Sequence, residues 1–526
     1  MSPGERGGFR AALGSWRLLS VALLSFSSGL PLGLVWIAIP AWMARAGIDI
    51  RVIGLFTLAQ APWSFKLLWS PTMDRYPPPF LGRKRGWILV SQAALVLLGL
   101  WLAGVSDHPE AVWVVGALTL AIAFASATQD IAYDAYAVEV LHKEEHGIAT
   151  GARTAFYRGA MLLSGGVSIT LAAETSWAYV NLLLALAYLP MMAVTWLAPE
   201  PEALPEPPKT LGAAVWGPFV GFLAQHRSLE ILAFVVLYKL SDNLTQALTR
   251  PFLVQAGFDD FDVGVATATI GQGAAVSGAF LGGVLTQRMG LGRALWVFGF
   301  LQMFSNLGYA AVAQVGVNRP LMYAAQAFEL GSSGLGIGAF GVLLLRLTQK
   351  RFSATQFALL SSLFTLPRIL SGPVAGVAAA TLGWRDFFIL TVFTGIPGMM
   401  MLARFVPWSV REPAFDVQAP SWGPPLPPRG IALRALAGGG VVLALALVTL
   451  GVTAGLSSLR GGGEFTFLPP IRAVLAPQSL AGWLTTAGVL VVSVVGCLAT
   501  AATVAARRGV ARERPAGVTM DPGVRP

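Results

Sequence analysis

Residues 127–140 read ATQDIAYDAYAVEV and place Gln129, Asp130 and Asp134 inside an apolar segment that begins near Ala111. Apolar segments of that length normally span bilayers. Carboxylates and amides within a span are costly unless they face partners or a water-filled path, so these residues are candidates for a functional site. The alternative is that the span ends at the start of this stretch and leaves both aspartates in solvent.

The composition indicates a membrane protein. Of the 526 residues, 55% are hydrophobic and only 12% are charged, and the mean hydropathy is +0.66. So few charges cannot coat a soluble globule of this size, and one soluble core cannot bury so much apolar surface. We therefore expect an all-α polytopic protein whose surroundings are the lipid bilayer.

The formal net charge of +10 is explained by topology. Arginines cluster between the apolar segments, which is how cytoplasmic loops hold orientation, so we expect no nucleic-acid partner. The single cysteine, Cys497, lies in a late apolar segment. It gives no basis for a disulfide framework, a redox pair or a thiolate metal site.

The first half, residues 1–198, contains six apolar windows. Arg6, Arg10 and Arg17 precede the first window, which is too long for a signal peptide and is interpreted as an uncleaved span. Windows of about 20 apolar residues predict spans near residues 17–44, 51–72, 86–105, 111–137, 147–172 and 177–198.

A second set of six spans follows a proline-rich and glutamate-rich break. Residues 199–228 are predicted to form a cytoplasmic linker, because its prolines lack backbone donors and its glutamates resist insertion. The apolar stretch 211–223 within it is too short to span and is expected at a surface. Residues 229–407 form the second half, with spans predicted near 229–252, 261–285, 292–314, 320–345, 354–380 and 384–407.

The C-terminal part adds two more apolar stretches. Residues 408–430 read as a proline-rich linker, residues 431–505 as two further spans near 431–457 and 477–505, and residues 506–526 as a tail. Fourteen spans would leave both termini cytoplasmic. The extra helices carry no intramembrane charge, so we expect them to lie away from the site.

Two motifs recur between the halves. AGID at residues 46–49, followed by Ile53-Gly54, recurs as AGFD at 256–259 followed by Val263-Gly264, at one constant offset. LSG at 163–165 recurs at 370–372 with nearly the same offset. A duplicated six-span half predicts a site between the halves, near the middle of the bilayer.

Loop charges predict the orientation. One set of connections is rich in basic residues and the other is poor, so the rich set and the N-terminus are expected to be cytoplasmic. The rich set contains Arg75, Arg83, Lys84, Arg85, Lys143, Arg288, Arg293, Arg346, Lys350 and Arg351; the poor set contains Arg45, Arg51, Arg319 and Arg385.

The loop after the second span reads DRY at residues 74–76 and GRKR at residues 82–85, and its counterpart contains Gln287-Arg288. This pattern resembles the signature loop of the major facilitator superfamily. The resemblance implies two pseudo-symmetric six-helix halves and a gate that closes one end of the path. We assign gating to Lys66, Asp74, Arg75, Arg83 and Arg288. A solvated loop that only sets orientation is the alternative.

Longer strings are similar to the AmpG muropeptide permease family, a branch that includes acetyl-coenzyme A carriers. The likeness covers about residues 20–407 and consists of long strings in the correct order. The strings are SSGLP, AGIDIRVIGLF, FKLLWSPTMDRYPPPFLGRKRGW, TQDIAYDAYAVEVL, YRGAMLLSGG, LYKLSD, AGFDDFDVGV and FSATQFALLSS.

This resemblance implies a transporter that imports anhydromuropeptides, with or without peptide, from periplasm to cytoplasm across the bacterial inner membrane by alternating access and driven by protons. Three alternatives remain open: a carrier for another solute such as acetyl-coenzyme A or a sugar or peptide, a non-transporting receptor, or a lipid flippase. The oligomeric state is also open.

Helical spacing predicts substrate contacts in the seventh span. Lys239, Asp242, Asn243, Gln246 and Arg250 lie three to four residues apart and form one polar stripe, which should line a cavity. We assign substrate binding to Lys239, Asn243 and Gln246, and proton coupling to Asp242. The alternative is that Lys239 pairs with Asp242 or Asn243 and faces protein.

Deep arginines add further candidates. Arg158, beside Tyr157 in the fifth span, and Arg368 in the eleventh can grip a carboxylate bidentately. Either arginine could instead neutralise a fixed acid. With Gln129 and Gln326 they complete the predicted substrate-binding set.

Three acids are the remaining proton-coupling candidates. Glu329 shares a helix face with Gln326 and lies about 14 Å from the periplasmic end, at about 1.5 Å per residue. Asp130 and Asp134 are the others, and Lys66 lies at a depth similar to that of Asp130, which permits a pair. A structural pair between Glu329 and Lys239 is the rival interpretation.

Catalysis has little support in the sequence. His142 and His146 have a spacing of four residues, but no further ligand cluster lies nearby, so we expect no metal. The glycine-rich phosphate loop of ATP-driven pumps is also missing from the sequence. We therefore expect an ion gradient as the energy source, no enzymatic activity and no cofactor.

Overall fold

The computed structural model describes residues 15–49, 56–108, 112–201, 206–415, 417–460 and 464–509. Within these ranges nearly all regular structure is helical, and ten helices are long and apolar enough to cross a membrane. The chain divides into two compact units: residues 1–218 with 229–415, and residues 219–228 with 416–526.

The first unit begins with six helical segments, α1 to α6, of which α1, α3, α4 and α6 are among the ten. All six fall where the windows predicted them, except that residues 51–55, at the start of the second window, lie outside the described residues. The bounds are α1 Trp16–Arg45, α2 57–75, α3 Arg85–Val105, α4 Val112–Val140, α5 146–174 and α6 Trp177–Leu197.

Six further helical segments, α7 to α12, complete this unit, and α8, α9, α10 and α12 are among the ten. α2 and α7 are each divided into shorter helices, and the division of α7 falls between Leu237 and Leu240. The bounds are α7 228–255, α8 Phe261–Met289, α9 Leu291–Val315, α10 Arg319–Leu347, α11 Ser353–Leu382 and α12 Trp384–Phe405.

Helix α4 decides the question raised by residues 127–140. It runs without interruption to Val140 and buries Gln129, Asp130 and Asp134. The alternative in which the span ends before the aspartates is therefore wrong. The predicted start at Ala111 lies outside the described residues.

The repeated motif AGID/AGFD forms the same turn twice. Gly47 and Gly257 have φ of 71° and 89°, the left-handed region that a glycine adopts after a helix. Each glycine N–H donates to the carbonyl three residues earlier, at 3.2 and 3.1 Å. The next N–H donates to the carbonyl five residues earlier, at 3.1 and 3.2 Å. The motif therefore ends α1 and α7 with one hydrogen-bond pattern.

Helices α5 and α8 bring the two halves into backbone contact. A Cβ on Gly147 would lie 2.5 Å from the carbonyl oxygen of Gly283, and a Cβ on Gly283 would overlap the carbonyl oxygen of Gly147. Glycine pairs of this kind allow helices to approach closely. Beside them, the Gln287 side-chain amide donates to the carbonyl of Glu144.

The second unit contains α13, Pro428–Arg460, and α14, Leu480–Arg508, which pack on each other. Gly439 lies against Cys497, and a short helix, Leu468–Leu475, lies between the two spans in sequence. The predicted linker 199–228 contains a helix, Leu211–Leu223, and its last ten residues group with this second unit.

Candidate functional site

Two cavities lie between the two halves of the first unit. The larger, here called the arginine cavity, has a volume of about 460 Å³. The smaller, here called the aspartate cavity, has a volume of about 250 Å³. On α5, Arg158 lines the arginine cavity and Arg153 lines the aspartate cavity. The aspartate cavity therefore lies nearer the end of α5 that carries His146.

The arginine cavity has more positive than negative charge. Arg158 from α5 and Arg250 from α7 line it, and the Glu329 carboxylate is the acid among its lining residues. Arg158 donates to Gln272 Oε1 at 2.9 Å, a hydrogen bond between the halves. Arg368, on α11, lies with its guanidinium carbon 6.0 Å from the ring centre of Trp36 on α1.

Glu329 lines this cavity, and one of its two carboxylate oxygens accepts a hydrogen bond. Its Oε1 accepts a hydrogen bond from Gln246 at 2.9 Å, and its Oε2 has no partner among the described residues. Gln326, one turn away, also lines the cavity and accepts from Tyr309 at 2.6 Å. The structure thus brings Gln246, Gln326 and Glu329 together, as their spacing predicted.

The aspartate cavity holds two acids and two cations. Lys66 Nζ lies 3.4 Å from Asp134 Oδ2, and Arg153 forms an ion pair with the other oxygen of Asp134. Asp130 instead accepts a hydrogen bond from Ser28. Lys66 therefore pairs with Asp134, one turn further along α4, and not with Asp130, the pair that similar depth had permitted.

The opposite wall of the aspartate cavity is aromatic. Phe340 from α10 and Phe364 from α11 stack with ring centres 4.4 Å apart. Arg153 lies between Tyr133 and Phe357, 4.9 and 5.7 Å from the two ring centres. The first half therefore supplies the charges, and the second half supplies the apolar surface. Tyr157 lines the same cavity.

The polar stripe of α7 divides between two environments. Gln246 and Arg250 line the arginine cavity, but Lys239 and Asp242 are buried in the second half. Lys239 Nζ lies 2.7 Å from Asp242 Oδ2, and it also donates to Ser333 and Gln302. The expectation that the whole stripe lines the cavity is wrong. Lys239 instead pairs with Asp242 and faces protein, which is the alternative that the sequence left open.

Two other predicted substrate contacts take different positions. Gln129 donates to Ser27 at 2.7 Å, in a buried network that also contains Gln92 and Thr195. The structure does not bring Gln129 to either cavity. Asn243 is half-buried and is not a lining residue of the described cavities.

The ends of the halves that carry the basic connections are in contact. Asp74, at the end of α2, accepts from Lys84 Nζ at 2.6 Å and from the backbone N–H and hydroxyl of Thr355 at 2.9 and 2.8 Å. Thr355 lies in the first turn of α11, where exposed N–H groups favour an anion. This contact links the first half to the second.

Arg83 forms a second link at this end. It lies 3.0 Å from Glu139 and donates to the carbonyls of Lys350 and Arg351 at 3.3 and 3.4 Å. Ser353 also donates to Glu139, at 2.5 Å. Together with Asp74, these contacts join the two halves at this end. Neither Glu139 nor Lys84 is in the predicted gating set.

The other predicted gating residues behave differently. The Arg75 guanidinium carbon lies 5.1 Å from the ring centre of the adjacent Tyr76. The main-chain carbonyl of Arg288 accepts from Arg411 at 2.8 Å. These contacts of Arg75 and Arg288 lie outside the Asp74 and Arg83 network.

The sequence analysis did not single out Arg153. Its spacing of four residues from Tyr157 places both side chains on one face of α5 and could have identified Arg153 as a candidate. Gln272 and the aromatic wall were also missed, since apolar residues in apolar spans give no contrast. Among the described residues, no group of three His, Cys, Asp or Glu side chains could hold a metal ion.

Two related six-helix halves with polar cavities between them define a transporter of the major facilitator type. A family model for the major facilitator superfamily matches residues 21–370. The anhydromuropeptide permease of Escherichia coli (strain K12) is 42% identical over 72% of this chain and 78% of its own length. The chain belongs to the AmpG-type permease family of this superfamily.

Two further comparisons agree with this assignment. An uncharacterized protein of Haemophilus influenzae is 33% identical over 74% of this chain and 95% of its own length. The proton:xylose symporter XylE, solved with 6-bromo-6-deoxy-D-glucose, has a TM-score of 0.58 at 10% identity and covers 76% of this chain and 97% of its own. The XylE match shows the fold alone. The family and fold predicted from the sequence are confirmed.

Proposed function

We propose that this protein imports anhydromuropeptides, N-acetylglucosaminyl-anhydro-N-acetylmuramic acid with or without its peptide, from the periplasm into the cytoplasm together with protons that move down their gradient. The observation that carries the proposal is the excess of guanidinium groups in the arginine cavity. Family membership gives the substrate class, since the Escherichia coli relative is a permease for these compounds. The protein would then lie in the bacterial inner membrane with its basic connections in the cytoplasm.

The arginine cavity suits a substrate that carries carboxylates. Arg158 and Arg250 outnumber Glu329 among its lining residues, and Arg368, on α11, lies over the Trp36 ring. A planar guanidinium binds a carboxylate through two parallel hydrogen bonds. We assign the lactyl or peptide carboxylate of the substrate to Arg158 and Arg368, with Gln246 and Gln326 as hydrogen-bonding groups for its amides and hydroxyls.

Glu329 is the best-supported proton carrier. It lines the cavity, and its Oε2 has no hydrogen-bond partner among the described residues. Asp242 is paired with Lys239, and Asp134 is paired with two cations, so the carboxylates of both acids are already engaged. Asp130, bonded to Ser28, is the second candidate.

The gate is assigned to the contacts at the basic end. Asp74 with Thr355, and Arg83 with the Lys350 and Arg351 carbonyls, join the halves there. Rocking of one half against the other would break these links and open the path to the cytoplasm. We infer that the conformation described here has the cytoplasmic side closed.

Uptake into proteoliposomes tests the function. Purified protein is offered labelled anhydromuropeptide with peptide, the disaccharide without peptide, free N-acetylglucosamine and acetyl-coenzyme A, with and without an inward-directed proton gradient. We expect gradient-stimulated accumulation of the first two substrates. Accumulation of acetyl-coenzyme A in their place, or binding of muropeptide without any uptake, would overturn the proposal.

A further inference from the structure

A third cavity lies outside the interface between the halves. It has a volume of about 320 Å³ and is lined by Met289, Arg293, Val297, Trp408 and Ser409. These residues come from the end of α8, the first turns of α9 and the residues just after α12. The cavity therefore lies at the same end of the molecule as the basic connections, at the boundary between span and loop.

An aromatic face continues from this cavity along α9. Trp296, Phe300 and Phe304 are spaced four residues apart and lie on one side of the helix, with ring centres 5.7 and 6.3 Å apart. Trp408 lies 5.6 Å from Trp296. Trp408 is 60% exposed and Phe304 is 49% exposed. On a span of a membrane protein, exposed aromatic rings of this kind face acyl chains, and tryptophan lies at headgroup depth.

The mouth of the cavity has uncompensated positive charge. Arg293 is exposed, and no carboxylate of the described residues lies within ion-pairing distance of it. The nearest acid in sequence to the cavity, Glu412, lies at the start of α9, where it accepts from the Leu291 N–H, and its ion pair is with Arg346. A phosphate bound here would meet an arginine that is not paired with this acid.

We propose that this cavity binds the headgroup of an anionic phospholipid of the cytoplasmic leaflet. The phosphate lies against the Arg293 guanidinium, with the Ser409 hydroxyl and the Trp408 indole N–H as further donors. One acyl chain follows the aromatic face Trp296, Phe300 and Phe304. A zwitterionic lipid fits less well, because its ammonium group would lie near Arg293, and the acid at the start of α9, Glu412, is already paired with Arg346. Basic pockets between spans on the cytoplasmic side bind such headgroups in other membrane proteins.

Native mass spectrometry of the full-length protein in detergent tests the proposal. The protein is titrated with phosphatidylglycerol and, separately, with phosphatidylethanolamine of the same acyl chains. We expect preferential retention of phosphatidylglycerol and a loss of about fivefold in its apparent affinity for Arg293→Ala, since one basic side chain at an anionic surface is worth about 1 kcal/mol. Trp408→Leu should reduce retention of both lipids.

Arg385→Ala is the matched control, because Arg385 is also an exposed arginine beside an end of α12, but at its other end. The thermal midpoint of each variant, measured with and without lipid, separates loss of binding from loss of folding. Equal retention of the two lipids by the wild type, or an equal loss in the Arg385 variant, would overturn the proposal. Displacement of phosphatidylglycerol by millimolar inorganic phosphate would also overturn it, by showing a phosphate-ion site.

Discussion

Lys66 forms its ion pair with Asp134, at 3.4 Å, and Arg153 pairs with the same carboxylate. One acid of α4 thus balances two cations from α2 and α5. Asp130, one turn earlier, accepts from Ser28 and completes no ion pair among the described residues. Asp130 and Asp134 therefore have different partners, and mutation of each residue can separate their roles.

The first prediction follows from this difference. Asp134→Asn leaves two cations without their partner, and breaking a buried pair in this way costs about 3 kcal/mol or more. We expect a large loss of thermal stability or transport rate for Asp134→Asn and a smaller one for Asp130→Asn, measured by melting and proteoliposome uptake. In a Lys66→Met background the Asp134 effect should shrink, because the effects of touching residues are not additive. Equal effects of the two asparagine variants would contradict the assignment.

The second prediction concerns Glu329. Glu329→Gln removes the exchangeable proton but keeps the hydrogen-bonding shape beside Gln246. We expect the variant to bind substrate and to equilibrate it across the membrane without accumulating it against a gradient. Glu329→Asp should retain part of the coupling. The test compares uptake with and without a proton ionophore. Ionophore-insensitive uptake by the wild type would refute proton coupling, whereas unchanged pH dependence in Glu329→Gln would redirect attention to Asp130.

The third prediction addresses substrate charge. Arg158→Lys and Arg368→Lys replace a planar fork by a point charge. We expect weaker binding of the disaccharide by about tenfold, because a hydrogen bond to a charged group contributes about 1.5 kcal/mol. The methyl ester of the same disaccharide, which lacks the carboxylate, should be affected much less. Arg385→Lys serves as the control. If acid and ester lose affinity equally, the two arginines hold the structure rather than the substrate.

The fourth prediction uses the glycine contact between the halves. A Cβ on Gly283 would overlap the Gly147 carbonyl, so Gly283→Ala should oppose closure of the basic end and favour the alternative conformation. Gly273→Ala, on the same helix α8, meets nothing within 4 Å and is the matched control. Cysteines placed at each end of the path, in a Cys497→Ser background, report the shift through their labelling rates. Identical labelling of the two glycine variants would show that this contact does not limit closure.

The sequence predicted where the helices lie along the chain better than it predicted which side chains each helix turns toward its neighbours. Apolar length and loop charge located the spans, because the bilayer sets both. Asp130 and Asp134 are four residues apart on one face of α4, so spacing alone could not decide which of them meets Lys66. That choice depends on the axial offset between α2 and α4, which is set by packing.

The prediction that the whole polar stripe of α7 lines the cavity was wrong for a related reason. Helical spacing places Lys239, Asp242 and Gln246 on one face, but it could not show that the first two pair with each other inside the second half. Gln129 illustrates the same limit, since a shift of one residue from Asp130 turns it by about 100° on a helix of 3.6 residues per turn, toward Ser27 and away from the cavities.

The matched turns at Gly47 and Gly257 have a consequence for the ancestry of the protein. Their hydrogen bonds join main-chain atoms only, so they do not depend on the side chains that now differ between Ile48 and Phe258. Duplication of an ancestral six-helix half that already ended its first span in this way explains the agreement most simply. The two segments should then be interchangeable parts: a chimera in which residues 252–258 replace residues 42–48 keeps every backbone hydrogen bond of the turn.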